Sequence, residues 1–347
     1  MISDDSLREG MQAPGISFSV DEKLNLAKKI SECGLKRILV SYPSAHESEA
    51  LVASEITKKG YFQEVYGLGR AIKEDIDLID STGANISLHF PFKYDSLDEI
   101  YSNVKYALSL GKKVEVGIVD ITQYKTDQLV KIVKILSGLG VDTIQLPDTM
   151  GKATPGLIRN VVGESRKVSE SKIEIHCHND RGLSVSNAIA GIEAGADIID
   201  TTFLGLGERN GITDTGTLAR YLKEIGEAND LQTEKIDRLS IEFLDIVIKK
   251  TGEYFFKNNL PNIGKNTNTH TAGTHAAFSD VFEGNDFSVN VYTGKSMLKK
   301  ILEGRGIDLT KEDLSLLMRR VKDISATQGR VIGADEIIKE ARDLCTE

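Results

Sequence analysis

Two histidines one residue apart, His176 and His178, close an Ile-rich run in the stretch His-Cys-His-Asn-Asp. In an extended strand, residues i and i+2 share a face. Both imidazoles therefore project together, toward the interior if Ile175 and Cys177 face the other way. Side-by-side imidazoles suit a divalent metal. The plainer alternative is a pair of core histidines with backbone partners, but two polar rings on one buried face are costly without a ligand to share. Near the start of the chain stands Asp4-Asp5-Ser6-Leu7-Arg8-Glu9-Gly10. Glu9 is a candidate third ligand, giving a two-His, one-carboxylate set with positions open for substrate. Arg8 beside it supplies a fixed positive charge suited to a developing enolate or a carboxylate. A surface ion pair is the alternative for an isolated Arg-Glu dipeptide.

Three further segments carry polar groups of the same kind. Gly205-Leu206-Gly207-Glu208-Arg209-Asn210-Gly211 superficially resembles a dinucleotide fingerprint, but its third glycine is one residue too far along and no acidic residue follows in the expected place. It reads instead as a tight loop carrying the charged pair Glu208 and Arg209. Pro147-Asp148-Thr149-Met150-Gly151 offers the Thr149 hydroxyl to a substrate carboxylate, or as a helix cap. The six histidines are His46, His89, His176, His178, His270 and His275. All fall after strand-like runs or in one polar loop, a distribution unlike scattered surface histidines.

The elements that must position these residues recur along the chain. Ile- and Val-rich runs at residues 2–7, 37–42, 63–68, 85–90, 114–119, 143–146, 173–177 and 198–203 read as eight strands. Helical spacing fills the intervals, as in Leu24, Leu26, Ala27 and Ile30, then Leu129, Ile132, Val133 and Leu136. Gly34, Gly83, Gly140 and Gly195 stand just ahead of strands 2, 4, 6 and 8, where a helix must end. Eight successive βα units predict an α/β fold, a closed (β/α)8 TIM barrel; an open doubly wound sheet is the alternative. Sites in such barrels lie at the C-terminal ends of the strands, where Glu9, His89, Thr149, His176, His178 and Glu208 fall. The barrel spans residues 1–228 and ends with a helix near 215–225. A helical extension covers 229–260, with a long amphipathic helix at 234–255. Residues 261–347 form a linker and small, mainly helical C-terminal subdomains, with helices at 296–303, 311–324 and 334–344.

Bulk properties fit a soluble globular protein. The chain has 347 residues, 40% hydrophobic and 27% charged, with a net charge of −9. That charge disfavours nucleic acid and anionic membranes as partners. No apolar stretch reaches membrane-spanning length, and the acidic start carries no signal-peptide pattern. Three scattered cysteines argue against a disulfide framework and fit a reducing cytoplasm.

The Arg8-Glu9-Gly10, His176 to Asp180 and Gly205 to Gly211 segments, in order on strands 1, 7 and 8, together resemble the DRE-TIM metallolyase family. The chain looks most like its acyl-CoA-dependent branch, the homocitrate, 2-isopropylmalate and citramalate synthases. The resemblance runs from Asp4 to about Ile337. It implies Glu9, His176 and His178 as ligands of a divalent ion (Mg, Mn, Zn or Co) and acetyl-CoA as cosubstrate. It implies a transferase in which an acyl-CoA condenses with a 2-oxo acid. Arg8, His275 and Glu208 would be catalytic, with Arg8, His89, Thr149 and Arg70 contacting substrate. The segment 67–77, which contains Arg70, is similar to the isopropylmalate-type loop after strand 3. The segment 207–213 is similar to the homocitrate-synthase form. The stretch 269–276 looks like the one that delivers a histidine to the site, often of a partner subunit, so a homodimer is expected. Feedback inhibition through the large regulatory domain of full-length isopropylmalate synthases is not expected, because these 347 residues match no such domain.

Three positions depart from the family pattern. Val119 stands where the synthases keep a catalytic glutamate, with Glu115 and Asp120 as nearby carboxylates. Phe278 and Phe282 occupy the region of a family tyrosine. Ile72 aligns with the histidine by which homocitrate synthases read a distal carboxylate. Two alternatives follow: a carbon–carbon lyase of the HMG-CoA lyase type, whose cysteine loop has no counterpart in the segment directly after strand 8, and a metal-binding homologue with weakened catalysis.

Overall fold

The structure is a computed structural model that describes residues 1–13, 15–90, 97–227, 230–252, 269–270, 286–287, 289, 293–328 and 332–344. The chain divides into two compact units, Met1–Phe255 and Phe256–Glu347.

In the first unit eight strands alternate with helices. The strands are β1 (Ile2–Asp4), β2 (Arg37–Ser41), β3 (Glu64–Arg70), β4 (Asn85–His89), β5 (Val114–Gly117), β6 (Thr143–Asp148), β7 (Lys172–Cys177) and β8 (Ile198–Thr201). The helices are α1 (Val20–Glu32), α2 (Glu47–Lys59), α3 (Lys73–Thr82), α4 (Leu97–Ser109), α5 (Thr126–Gly138), α6 (Pro155–Arg166), α7 (Ser184–Glu193) and α8 (Thr215–Glu224). The strands pair in sequence order, and β1 closes on β8 in parallel with Ser3 opposite Asp200, so the sheet is a closed (β/α)8 barrel. Gly34, Gly83, Gly140 and Gly195 all hold positive φ, from 82° to 97°. That conformation ends a helix at little cost only for glycine. Helix starts are capped as their sequences suggest: Ser19 and Glu22 form a capping box on α1, while Thr154 and Asp214 cap α6 and α8.

Several strand ends differ from the sequence expectation: β3 runs on to Arg70, while β2, β5 and β8 stop at Ser41, Gly117 and Thr201. The first strand stops at Asp4, not at residue 7, because the Asp4 carboxylate accepts the Ser6 N–H at 3.1 Å and the Ser6 hydroxyl at 3.0 Å, turning the chain. The sixth runs on to Asp148, two residues beyond the expected end, paired throughout with β7. After the barrel, α9 (Thr233–Thr251) ends at Gly252, which adopts φ of 71°. Phe243 of α9 stacks on Phe203, ring centroids 5.0 Å apart, and meets Phe18 edge-on at 6.3 Å. Those contacts bury the apolar face predicted for the long helix.

The second unit contains helices Lys295–Glu303, Lys311–Gln328 and Ala334–Leu344. Met297, Leu298, Leu302, Leu317, Val321 and Ile337 pack between them. A short parallel pair joins Thr269–His270 to Asp286–Phe287. His275, Phe278 and Phe282 lie outside the described residues.

Candidate metal centre

Glu9, His176 and His178 converge: one ligand atom from each lies within 4.8 Å of the others, and all three residues are buried. Glu9 starts a short 3-10 turn just beyond β1, held by its N–H on the Asp5 carbonyl at 2.8 Å. His176 is the fifth residue of β7, opposite Pro147 of β6. His178 stands one residue past the strand, where it forms an antiparallel bridge with Ile212. The glycine loop is shaped to make these contacts. Its Glu208 N–H donates to Glu9 Oε1 at 2.9 Å, and the Asn179 N–H donates to the Gly211 carbonyl at 2.9 Å. A Cβ on Gly211, at φ of 75°, would meet the Gly205 carbonyl oxygen at 1.7 Å, and one on Gly207 would meet Glu9 Oε1 at 2.9 Å. The loop needs its glycines for close backbone approach to Glu9 and to itself.

The electrostatics prepare this set for a cation. Burial pushes His176 down to about 4, with the Glu9 charge opposing, so its ring is neutral at pH 7. Burial also pushes His178 to about 4, reinforced by the neighbouring His176. For Glu9, burial favours the neutral acid, but Arg8, His176 and the Glu208 N–H outweigh it and hold the carboxyl below its ordinary value. Arg8 Nη1 donates to Glu9 Oε2 at 2.6 Å. One anionic oxygen donor and two neutral imidazoles are the protonation states that ligation requires.

The donors also fit an ion sterically. Nε2 of His176 and Nε2 of His178 are 3.4 Å apart, about the separation of two imidazole nitrogens held at ~2.1 Å by one tetrahedral ion. The His176 Nδ1 faces Asp200 Oδ2 at 3.1 Å. An ionised carboxylate only accepts, so Nδ1 carries the proton and Nε2 presents its lone pair to the site. Among the described residues, His178 Nδ1 is buried with no hydrogen-bond partner. Asp5, His176 and Asp200 also cluster within ligand distance, but Arg8 already forks onto both Asp5 oxygens through Nε, at 3.1 Å, and Nη2. That guanidinium supplies the cation Asp5 needs.

The other expected site residues are distributed around this centre. Arg8 is at the centre, shared between Asp5 and Glu9. Thr149 Oγ1 accepts the Asp120 N–H at 3.0 Å, which leaves its own hydroxyl hydrogen available to donate; the cap of α6 is Thr154, not Thr149. Arg209 is bidentate to Asp180, at 2.7 and 2.9 Å, and reaches the Thr149 carbonyl at 2.7 Å. The Glu208 side chain is exposed, and its contact with the centre is through its backbone. His89 ends β4 with its ring edge-on to Tyr42 at 6.2 Å, and burial followed by the Arg8 charge lowers its pKa. Arg70 ends β3 and forks onto Asp75 at 3.0 and 2.9 Å, with half of its side chain in solvent.

Two groups were not singled out from the sequence. Tyr42 is one. The other is a polar cluster inside the barrel, where Arg37 Nη1 donates to Glu64 at 2.7 Å and Nη2 to Glu174 at 2.8 Å and to Glu115. Tyr66 lies under the guanidinium at 4.0 Å. The only sequence signal was a charged residue inside each of several apolar runs. Glu115 and Glu174 are each pushed up to about 8, chiefly by burial. Glu115 also accepts from the Ser87 hydroxyl at 2.5 Å. Asp120, at φ of 50°, spends its carboxylate on Thr122 and Gln123. Both carboxylates near Val119 are thus committed to structure.

Fold and centre together define a (β/α)8 barrel with a candidate three-residue metal-binding set at its C-terminal mouth. Residues 1–241 match the model of the HMGL-like family, and the chain belongs to that family. It is 32% identical to the 2-isopropylmalate synthase of Sulfurisphaera tokodaii, over 96% of this chain and 92% of that one. It is 30% identical to the homocitrate synthase AksA of Methanocaldococcus jannaschii, over 98% and 89%. This similarity falls on the synthase side of the DRE-TIM metallolyases. Among solved structures, the HMG-CoA lyase of Brucella melitensis superposes with a TM-score of 0.62 at 18% identity, covering 72% of this chain and 98% of that one. The carboxyl transferase domain of Rhizobium etli pyruvate carboxylase superposes with a TM-score of 0.63 at 15% identity, covering 71% and 47%. Among the described residues no helix is long and apolar enough to cross a membrane.

Proposed function

We propose that this protein is a metal-dependent condensing enzyme, joining acetyl-CoA to a 2-oxo acid to give a 2-hydroxy di- or tricarboxylic acid and CoA. The observation that carries the proposal is the donor set, an ionised Glu9 beside two neutral imidazoles 3.4 Å apart, in a chain with synthase relatives along almost its whole length. Glu9, His176 and His178 hold the divalent ion, which when bound supplies Lewis-acid polarisation of a carbonyl oxygen. Arg8, fixed by Asp5, presents positive charge where a carboxylate or developing enolate oxygen gathers. Thr149 donates its free hydroxyl hydrogen to a carboxylate, and His89 and Arg70 line the neighbouring strand ends. Glu208 and His275 are the proposed proton-transfer groups, His275 with a near-neutral unperturbed pKa. A cytoplasmic homodimer is part of the proposal.

Release of free thiol from acetyl-CoA, measured against a panel of 2-oxo acids with and without added metal, tests it. Release that depends on both one oxo acid and the metal is expected. Metal binding without release for any acid would reject it and favour the second reading, a homologue with weakened catalysis. That reading is motivated by Val119 and by the structural commitment of Glu115 and Asp120.

A further inference from the structure

The Asp200 carboxylate touches His176 on the side away from the other ligands, and its own surroundings are built around it. Asp200 is fully buried on β8. Its Oδ2 takes His176 Nδ1 at 3.1 Å and the Gln145 Nε2–H at 2.6 Å. The same Gln145 amide nitrogen lies 3.3 Å from Glu174 Oε1, and Glu174 Oε2 accepts from Arg37 at 2.8 Å. An amide that donates to two carboxylates at once keeps them apart without adding charge. A continuous polar path therefore runs from the Arg37 cluster, through Glu174, Gln145 and Asp200, to the imidazole of a candidate ligand.

We infer that Asp200 and Gln145 are positioning residues for the metal: Asp200 selects the His176 tautomer that turns the Nε2 lone pair into the site, and Gln145 holds Asp200 in place. This rests on Glu9, His176 and His178 being the ligands. Partners behind a metal-bound imidazole fix its ring and raise its basicity, and losing one typically weakens metal binding about 10- to 100-fold. An amide at position 200 can donate to Nδ1 and stabilise the opposite tautomer, which leaves the shape intact while removing the lone pair from the site.

The test is metal affinity of the full-length protein, stripped and then titrated with Zn²⁺ or Co²⁺ against a chromophoric chelator. The Co²⁺ absorption spectrum and thermal unfolding of the metal-free protein are recorded alongside. Asp200→Asn should weaken binding toward the hundredfold end and alter the Co²⁺ spectrum. Gln145→Leu should weaken it about tenfold, the low end of that range, and stands as the decisive variant if Asp200→Asn does not fold. Asp200→Glu, which restores a carboxylate, should recover part of the loss. A folded Asp200→Asn or Gln145→Leu protein with wild-type affinity and spectrum overturns the inference, even if it melts earlier. Failure of the ligand assignment looks different: His178→Ala would then also keep its metal, or the wild type would bind none.

Discussion

His176 and His178 direct their Nε2 atoms at one another across 3.4 Å with Glu9 beside them, a separation that one shared cation fits and that, without it, only a proton on His178 Nε2 could bridge. Removing one ring should therefore abolish binding without collapsing the barrel. His178→Ala is expected to lose at least about a hundredfold in metal affinity and to lose activity, while its circular dichroism stays that of the wild type. Full metal occupancy in this variant would remove the basis for the centre.

The acid response of the site follows from burial. Burial pushes both imidazoles down to about 4, so the ligand rings themselves should not compete with metal for protons between pH 8 and about 5, and any loss of affinity near pH 6 would come from Asp200, which burial raises to about 6. An exposed pair would begin to lose metal at its ordinary value, about 6.5. For the metal-free protein the sign is set by proton uptake: between about 6.5 and 4 the unfolded chain binds protons on these two histidines that the folded chain does not. Their contribution to stability is therefore full above 6.5 and is lost as pH falls toward 4. Chelator competition across pH measures the first effect. A steady fall in affinity from pH 7 downward, with the slope of two protons rather than the one of Asp200, would contradict it.

Two glycines of the loop should fail in different ways. Gly207→Ala directs a methyl at Glu9 Oε1 and is expected to reduce metal affinity about tenfold with little change in melting temperature. Gly211→Ala combines a positive φ with a backbone overlap. Strained conformation alone costs about 1–3 kcal/mol, so the variant should unfold measurably earlier in urea. Equal effects on affinity and stability in the two variants would argue against a distinct contact to Glu9.

Arg37 is enclosed, with three carboxylates around it. Breaking a buried ion pair from one side costs about 3–5 kcal/mol; Glu64 keeps Lys113 at 2.6 Å, so the loss falls on Glu115 and Glu174. Arg37→Met should destabilise by about that amount, read from urea unfolding. A shift under about 1 kcal/mol, the range of an exposed pair, would mean that the cluster is solvated.

The barrel was legible because its signals are local and repeated: an Ile/Val run, a helical interval, and a glycine at the turn before every second strand. The convergence of Glu9, His176 and His178 was legible because alternation on a strand and the nearness of the first strand to the last two follow from a closed barrel. The Arg37 cluster was not, since a lone charged residue in an apolar run reads as a solvated position until the closed sheet brings Arg37, Glu64, Glu115 and Glu174 together. Asp200 was hidden for the same reason; Ile198 to Thr201 reads as an ordinary strand, and nothing local says which acidic side chain will meet a histidine 24 residues earlier. The Asp120 turn depends on a positive φ at a non-glycine residue, which sequence patterning does not anticipate.

Closure of β1 onto β8 also sets when the site can exist. The backbone amide that steadies Glu9 belongs to a residue 199 positions further along, so a growing chain carries its carboxylate ligand long before the imidazoles and the loop are made. Until the last strand is translated and docked, no fragment holds all three donors in register, and contacts this distant in sequence form late. A metal ion held by this set would therefore stabilise only chains whose barrel has closed, since no earlier fragment offers all three donors.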